Sequence, residues 1–376
     1  MSRPTMSGQA SDVGPGELGP SSQAMRLRRV VLVGEGLAGR PDEGVTKFGL
    51  CLAGALRRRH AVEVIATRPG PGNPGVTTIP GPRTLFSPRL WGRLRAFRPD
   101  IIIYIPSAST TVWSFARAGV LKTCCPHATV VLVGLQPRTH SRLEALLVRS
   151  LAPELVYVQS ESGRRYYEGM GCRVRTIPSG VDLGRFRPVP AEVRRQLRLA
   201  YGLNPDLPLV FHAGHLKAGR GVGILGDLAR TGFCQALLLT SSSTAPDPEL
   251  GASLRAAGVR VFNEFQPQVE HFYQLADCYV FPVQSAAHSV EMPLSVLEAL
   301  ACDLPVVLTR FGPLPAILPA DHPAIRFADT AGELTAAALS VCNHGPRVPA
   351  GTRQFAAPFS WDAIAHQVIE HALCPH

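Results

Sequence analysis

The chain has 376 residues, 45% of them hydrophobic and 18% charged, with a formal net charge of +10. That length and balance suit a globular protein of two ordinary domains and exclude a low-complexity or fibrous chain. The longest apolar runs, ATVVLVGL and IIIYIP, fall short of the roughly 18 residues a membrane-spanning helix needs.

In chain order, residues 1–24 are polar and rich in Gly, Pro and Ser. They have no apolar core of a secretory signal, so a disordered tail and a cytoplasmic location are expected. From there short apolar runs alternate with longer amphipathic stretches. Strands are predicted at 29–34, 61–67, 100–106, 129–134, 155–160 and 174–179, then at 208–214, 235–241, 259–265, 278–283 and 305–310. Helix-length stretches such as VTKFGLCLAGALRRR and PLSVLEALAC separate most of them. Val/Ile/Leu-rich strands alternating with helices imply parallel sheets covered on both faces. The Pro-rich segment SGVDLGRFRPVP divides them, giving an expected first domain at 25–183 and a second at 184–359. The closing stretch 360–376, with Ser360 as N-cap, is expected to form a helix.

The nine cysteines are scattered without a CxxC pair, and several lie in apolar runs. They read as reduced and buried, neither a disulfide frame nor a zinc site. Charge is uneven. Residues 1–190 hold 26 Lys+Arg against 12 Asp+Glu, and the remainder 12 against 16. A basic first half suits an anionic acceptor or an anionic membrane surface. It also fits Arg-rich coding without purpose, since 35 of the 38 basic residues are Arg. No aromatic platform or known module supports nucleic-acid binding.

The first strand runs into Gly34-x-Gly36-x-x-Gly39, the letters of a dinucleotide fingerprint that would bind FAD or NAD in an oxidoreductase. The mechanics of that motif need a helix starting within the glycines and an acid ending the next strand. Here Pro41 and Gly44 interrupt such a helix, apolar periodicity starts only at Val45, and AVEVIAT ends without an acid. A wide loop at the sheet's C-terminal edge is the better reading.

Four segments carry a resemblance. SGVDLGRFRPVP, HAGHLKAGRGV, LADCYVFPVQSAAHSVEMPLSVLEALACDLPVVLT and FSWDAIAHQVIEHA are similar to the N-G-V-D junction, the phosphate loop, the paired-acid helix and the crossing-back helix of retaining family-four glycosyltransferases. EGVTKFGLCLAGALRRRHAVEVIAT resembles their G-G-V opening. The resemblance implies an α/β GT-B fold, two Rossmann-like domains with parallel sheets facing across a cleft. It implies sugar transfer from a nucleoside-diphosphate sugar, without a metal or other cofactor, to a small-molecule, glycan or lipid acceptor. No DxD acid pair is present.

The resemblance assigns His215 and Arg220 to the diphosphate, with His215 standing where the family has Arg. A guanidinium grips phosphate bidentately, whereas His, with an ordinary pKa of about 6.5, carries only part of a charge. Pro293 pre-sets a helix whose Leu294 and Ser295 N–H groups would face the donor, and Glu298 would take the ribose hydroxyls. The family's first acid sits eight positions earlier, where this chain has Val290. Glu291, seven earlier, takes the catalytic role beside Arg220 only if the loop shifts by one. Gly44 would let backbone approach the donor, Asn263 and Phe265 would border the base, and Gln136 and Arg138 would face the acceptor. The substituted His215 and shortened acid spacing also fit a non-catalytic nucleotide-sugar-binding relative.

Overall fold

A computed structural model describes residues 27–374 except 108, 137 and 344–349; the tail expected at 1–24 lies outside the described residues. Thirteen strands are present among them. β1 (Arg29–Gly34), β2 (Ala61–Ala66), β3 (Val76–Thr78), β4 (Ile101–Tyr104), β5 (Thr129–Val133), β6 (Leu155–Val158) and β7 (Val174–Thr176) form one sheet. β8 (Leu209–Ala213), β9 (Gln235–Leu239), β10 (Arg260–Phe262), β11 (Cys278–Phe281), β12 (Val306–Leu308) and β13 (Ile325–Phe327) form the other. Their orders are β3-β2-β1-β4-β5-β6-β7 and β10-β9-β8-β11-β12-β13, and every pairing is parallel. All eleven predicted strands occur. The two additions, β3 and β13, are three-residue edge strands, too short to leave a sequence pattern.

Hydrophobicity explains the layering. Ile101 to Tyr104 and Leu155 to Val158 are buried at every position, so side chains on both sheet faces need covering. Helices supply it, and each sheet carries one core on either face. In both sheets the strand order reverses beside the first strand of that sheet, between β1 and β4 and between β8 and β11. Crevices at the C-terminal ends of the strands at such reversals are where open α/β sheets bind ligands.

The helix Trp361–Leu373 returns to the first sheet and packs on the helix Gly44–Arg57. Trp361 meets Phe48 edge-on at 5.4 Å, a geometry worth about 0.5–1.5 kcal/mol beyond burial. Gly180 permits the arrangement, since a Cβ there would stand 2.5 Å from the Trp361 ring. None of the described helices is long and apolar enough to cross a membrane.

Candidate functional site

The C-terminal edges of the two sheets border a cavity of about 210 Å3. On the second domain, β8 ends at Ala213 and is followed by Gly214, His215 and the short turn holding Arg220. Arg220 is only 7% exposed. Its Nη1 donates to the His288 carbonyl, while its Nε has no partner. Among the described residues no carboxylate pairs with it, and burial lowers its pKa. The free Nε/Nη2 edge faces Gly214, where a Cβ would come within 3.1 Å of both nitrogens. Glycine thus lets the guanidinium pack closely on the loop after β8, leaving a charge without a carboxylate partner at the cavity wall.

His212 lies behind, fully buried, with Nδ1 2.8 Å from the Val280 carbonyl and Nε2 unpartnered. Burial, reinforced by Arg220, pushes its pKa down to about 3. His215 lines the cavity, 3.4 Å from the Thr244 hydroxyl. Burial first and the Arg220 charge second hold it below the ordinary histidine value.

The helix Leu294–Ala301 aims its N-terminus at the same space. Pro293 occupies the cap without a side-chain cap, and the first turn holds no acid. Leu294 and Ser295 line the cavity, leaving first-turn N–H groups and the positive end of the dipole toward it. One turn on, Glu298 is 4% exposed. Its Oε1 pairs with Lys47 of the first domain, and its Oε2 accepts from the Tyr273 hydroxyl at 2.8 Å.

The first domain reaches in through the loop after β1. Helix Gly44–Arg57 starts at Gly44, capped by the Glu43 carboxylate. A Cβ on Gly44 would lie 3.2 Å from Val290 of the opposite domain, so glycine permits the close approach. Lys47, one turn further, sits 5.5 Å above the Phe186 ring. Before the helix, Asp42 accepts from the Ser242 N–H (2.7 Å) and the Ser242 and Ser243 hydroxyls (2.6 Å each). Burial opposes its charge, yet these serine bonds keep the Asp42 pKa below its ordinary value. Arg40 adds a bond to Ser242 at 3.0 Å and lies over the Phe265 ring at 5.7 Å. The two domains are therefore clasped across the mouth of the cavity.

The expected residues separate cleanly. His215, Arg220, Leu294, Ser295, Glu298, Gly44, Phe265 and Gln136 all line the cavity. Asn263 and Arg138 do not; both are exposed. Glu291, expected to approach the donor sugar if the loop shifts by one, is not among the lining residues. The loop does not shift by one: Val290 holds the cavity position. Glu291 instead bonds to Ser160 and Gln159 of the first domain, and burial raises its pKa against those bonds. Lys47, Asp42 and Tyr273 were not among the expected residues. Lys47 carried a usable signal, one helical turn after Gly44 on the same face.

The glycine run is spent on packing. A Cβ on Gly34 would lie 2.7 Å from the Ile105 carbonyl, and one on Gly36 would lie 2.9 Å from the Ser107 hydroxyl. Neither glycine nor Gly39 lines the cavity, and the FAD or NAD reading finds no helix start within the run. Among the described residues no group of three or more His, Cys, Asp or Glu side chains is arranged to hold a metal ion.

Two doubly wound parallel sheets facing a cleft, with the last helix returned to the first domain, define a GT-B protein. Residues 43–185 match the family model for Glycosyltransferase Family 4, and residues 232–344 that for Glycosyl transferases group 1. The D-inositol 3-phosphate glycosyltransferase of Xylanimonas cellulosilytica is 29% identical over 232 residues, covering 56% of this chain and 54% of that protein. Its counterpart from Frankia alni is 31% identical over 238 residues, covering 56% of each. The matched stretch spans about half the length of these curated relatives. Anabaena HepE, solved with UDP and glucose, superposes with a TM-score of 0.71 at 16% identity, over 92% of this chain and 99% of that one. The chain belongs to the family-four glycosyltransferases.

Proposed function

We propose that the protein is a retaining glycosyltransferase that moves a sugar from a nucleoside-diphosphate sugar to an acceptor, without a metal. The carrying observation is the unpaired, buried Arg220 fork meeting an uncapped helix N-terminus in one cavity. Both ask for a doubly charged group, and a diphosphate supplies it. Lys47 and Tyr273 each hold one Glu298 oxygen, and each oxygen keeps a lone pair for a ribose hydroxyl. Phe265 borders the base. The acceptor enters from the basic first domain beside Gln136. It is a small molecule, a glycan or a lipid, and the domain's charge favours an anionic one or an anionic surface nearby.

In this reading the anomeric carbon–phosphate oxygen bond breaks and the bond to the acceptor oxygen forms on the same face. The acceptor proton passes to the leaving phosphate oxygen. The protein contributes positioning and charge stabilisation, the latter from Arg220, His215 and the Leu294/Ser295 N–H groups. Residues 25–183 serve the acceptor and 184–359 the donor.

The test is a panel of UDP-, GDP- and ADP-sugars, read by thermal shift and by donor hydrolysis or transfer, with and without chelator. Stabilisation by one nucleotide class, chelator-insensitive turnover and a retained anomer are expected. A panel in which no nucleotide stabilises the protein refutes the donor site. A second reading, a nucleotide-sugar-binding relative without turnover, draws on Val290 standing in the cavity while Glu291 faces away. Stabilisation without turnover across many acceptors would favour it.

A further inference from the structure

The cleft edge of the first sheet carries a surface that the donor chemistry does not use. Three segments follow strands of that sheet at their C-terminal ends and lie side by side. The helix Val112–Cys124 packs against both the helix Pro88–Phe97 and the helix Arg142–Ser150. The Arg83 carbonyl accepts from Arg117, and His140 lies 2.9 Å from the Thr110 carbonyl, so their starts form one rim. On that rim Phe86 is 58% exposed, Trp113 69%, Leu143 70% and Leu146 63%. Of the helix Arg142–Ser150 only Val148 is buried. Leu143, Leu146 and Leu147 sit at helical spacing on an outward face, an unusual concentration of apolar area for a solvent-facing helix.

The charge around them has one sign. Residues 79–150 hold ten Lys and Arg against two Asp and Glu, a net +8. Arg93, Arg117 and Lys122 are taken by Glu63, Glu35 and Glu154. Arg83, Arg89, Arg138 and Arg142 are exposed, with no carboxylate partner among the described residues. The single acid on the leucine-bearing helix, Glu144, is spent on its capping box with Ser141.

We propose that this rim docks the protein on an anionic lipid bilayer, with Leu143, Leu146, Leu147 and Trp113 entering the headgroup region and the arginines on lipid phosphates. Leucines and a tryptophan interleaved with arginine match an interfacial helix. The unpaired arginines complement the phosphates of an anionic leaflet, and the leucines offer no stacking platform to a nucleic acid. The surface also adjoins the acceptor side, since Gln136 lines the cavity six residues before Arg142. Resting on the transferase reading, the proposal therefore names the acceptor class as one held in or at a membrane.

Vesicle flotation of the full chain tests it, with phosphatidylcholine alone or mixed with phosphatidylglycerol. The wild type should float only with the mixed vesicles, lose binding in high salt, and show a blue shift of tryptophan emission on binding. The Leu143→Ser/Leu146→Ser protein should partition roughly tenfold or more weakly while keeping the wild-type thermal shift with nucleotide. Arg142→Glu, which alters no buried contact, should do the same and serves if the double variant does not fold. Absence of wild-type binding to mixed vesicles, or equal binding by wild type and variants, overturns the proposal. So does a wild-type dimer that the leucine substitutions abolish, which would make the rim a self-association face. A missing nucleotide shift in the wild type counts against the donor site alone, because the flotation arm reads lipid independently.

Discussion

Arg220→Met separates ligand binding from folding by the sign of two effects. In the folded protein Arg220 keeps a guanidinium 7% exposed without an acidic partner, an arrangement that costs desolvation. Methionine has similar reach and removes that cost, while it orphans the His288 carbonyl that Nη1 serves, at about 1–3 kcal/mol. The terms oppose each other, so the melting temperature of the free protein should move by less than about 4 °C. Donor binding has no such compensation. The Nε/Nη2 edge can give two charge-assisted bonds to phosphate, each worth about 1.5–3 kcal/mol. Losing about 3–6 kcal/mol weakens the donor by roughly 10²–10⁴-fold. Calorimetric titration with the nucleotide sugar chosen from the panel, beside scanning calorimetry of both free proteins, measures the two quantities. An unchanged donor affinity refutes the phosphate assignment. A free-protein melting point lowered by much more than about 4 °C would make Arg220 a structural residue whose charge the fold needs.

Lys47→Met should destabilise the protein by about 3 kcal/mol in denaturant unfolding, because it strands the buried Glu298 carboxylate; Lys47→Met/Glu298→Gln should recover part of that loss, and strict additivity would disprove the coupling. His215 is held below its ordinary pKa by burial and Arg220, so a diphosphate must raise that pKa and binding must take up a proton. Donor affinity should then rise from pH 8 toward pH 6, by at most about tenfold per unit, and His215→Asn should flatten the profile. His212, pushed down to about 3 by burial and Arg220, protonates first in the unfolded chain. Its share of stability is complete above about pH 6.5 and is lost as pH falls toward 3, by up to about 1.4 kcal/mol per unit, measurable as acid-induced melting shifts that His212→Asn reduces. Asp42→Ala removes three bonds of the clasp and should increase the radius of gyration in small-angle scattering, with no change if the clasp does not hold the domains together.

What the sequence disclosed follows from the range of the interactions involved. Strand runs such as IIIY and LVYV are legible because burial on both faces writes hydrophobicity into every position. Pro293 ahead of LSVLEALA is legible because caps and helix starts are local. The glycine run was read correctly as a loop because Pro41 and Gly44 stand within ten residues of Gly34. Local pattern is silent where the deciding contact lies far along the chain. Glu291 was left to a one-residue choice of register, and that choice is set by its backbone N–H on the Leu135 carbonyl at 2.9 Å and by the neighbouring Met292 N–H on the Gln159 side chain at 2.9 Å. Both partners belong to the first domain, more than 130 residues away. They pin the loop so that Val290, packed against Gly44, faces the cavity and the acid faces the domain junction. Lys47 escaped for the same reason, since its partner is 251 positions later. Leu294 and Ser295, set by a local helix start, are thus legible from sequence, whereas Asp42 and Lys47 are set by partners in the opposite domain. Closure itself is written in Asp42, Lys47 and Glu291, three charged side chains that each reach the opposite domain. On the proposed function, a donor between Arg220 and Glu298 would have to be accommodated by the same contacts that hold the domains together, which would tie sugar-nucleotide binding to the opening of the cleft.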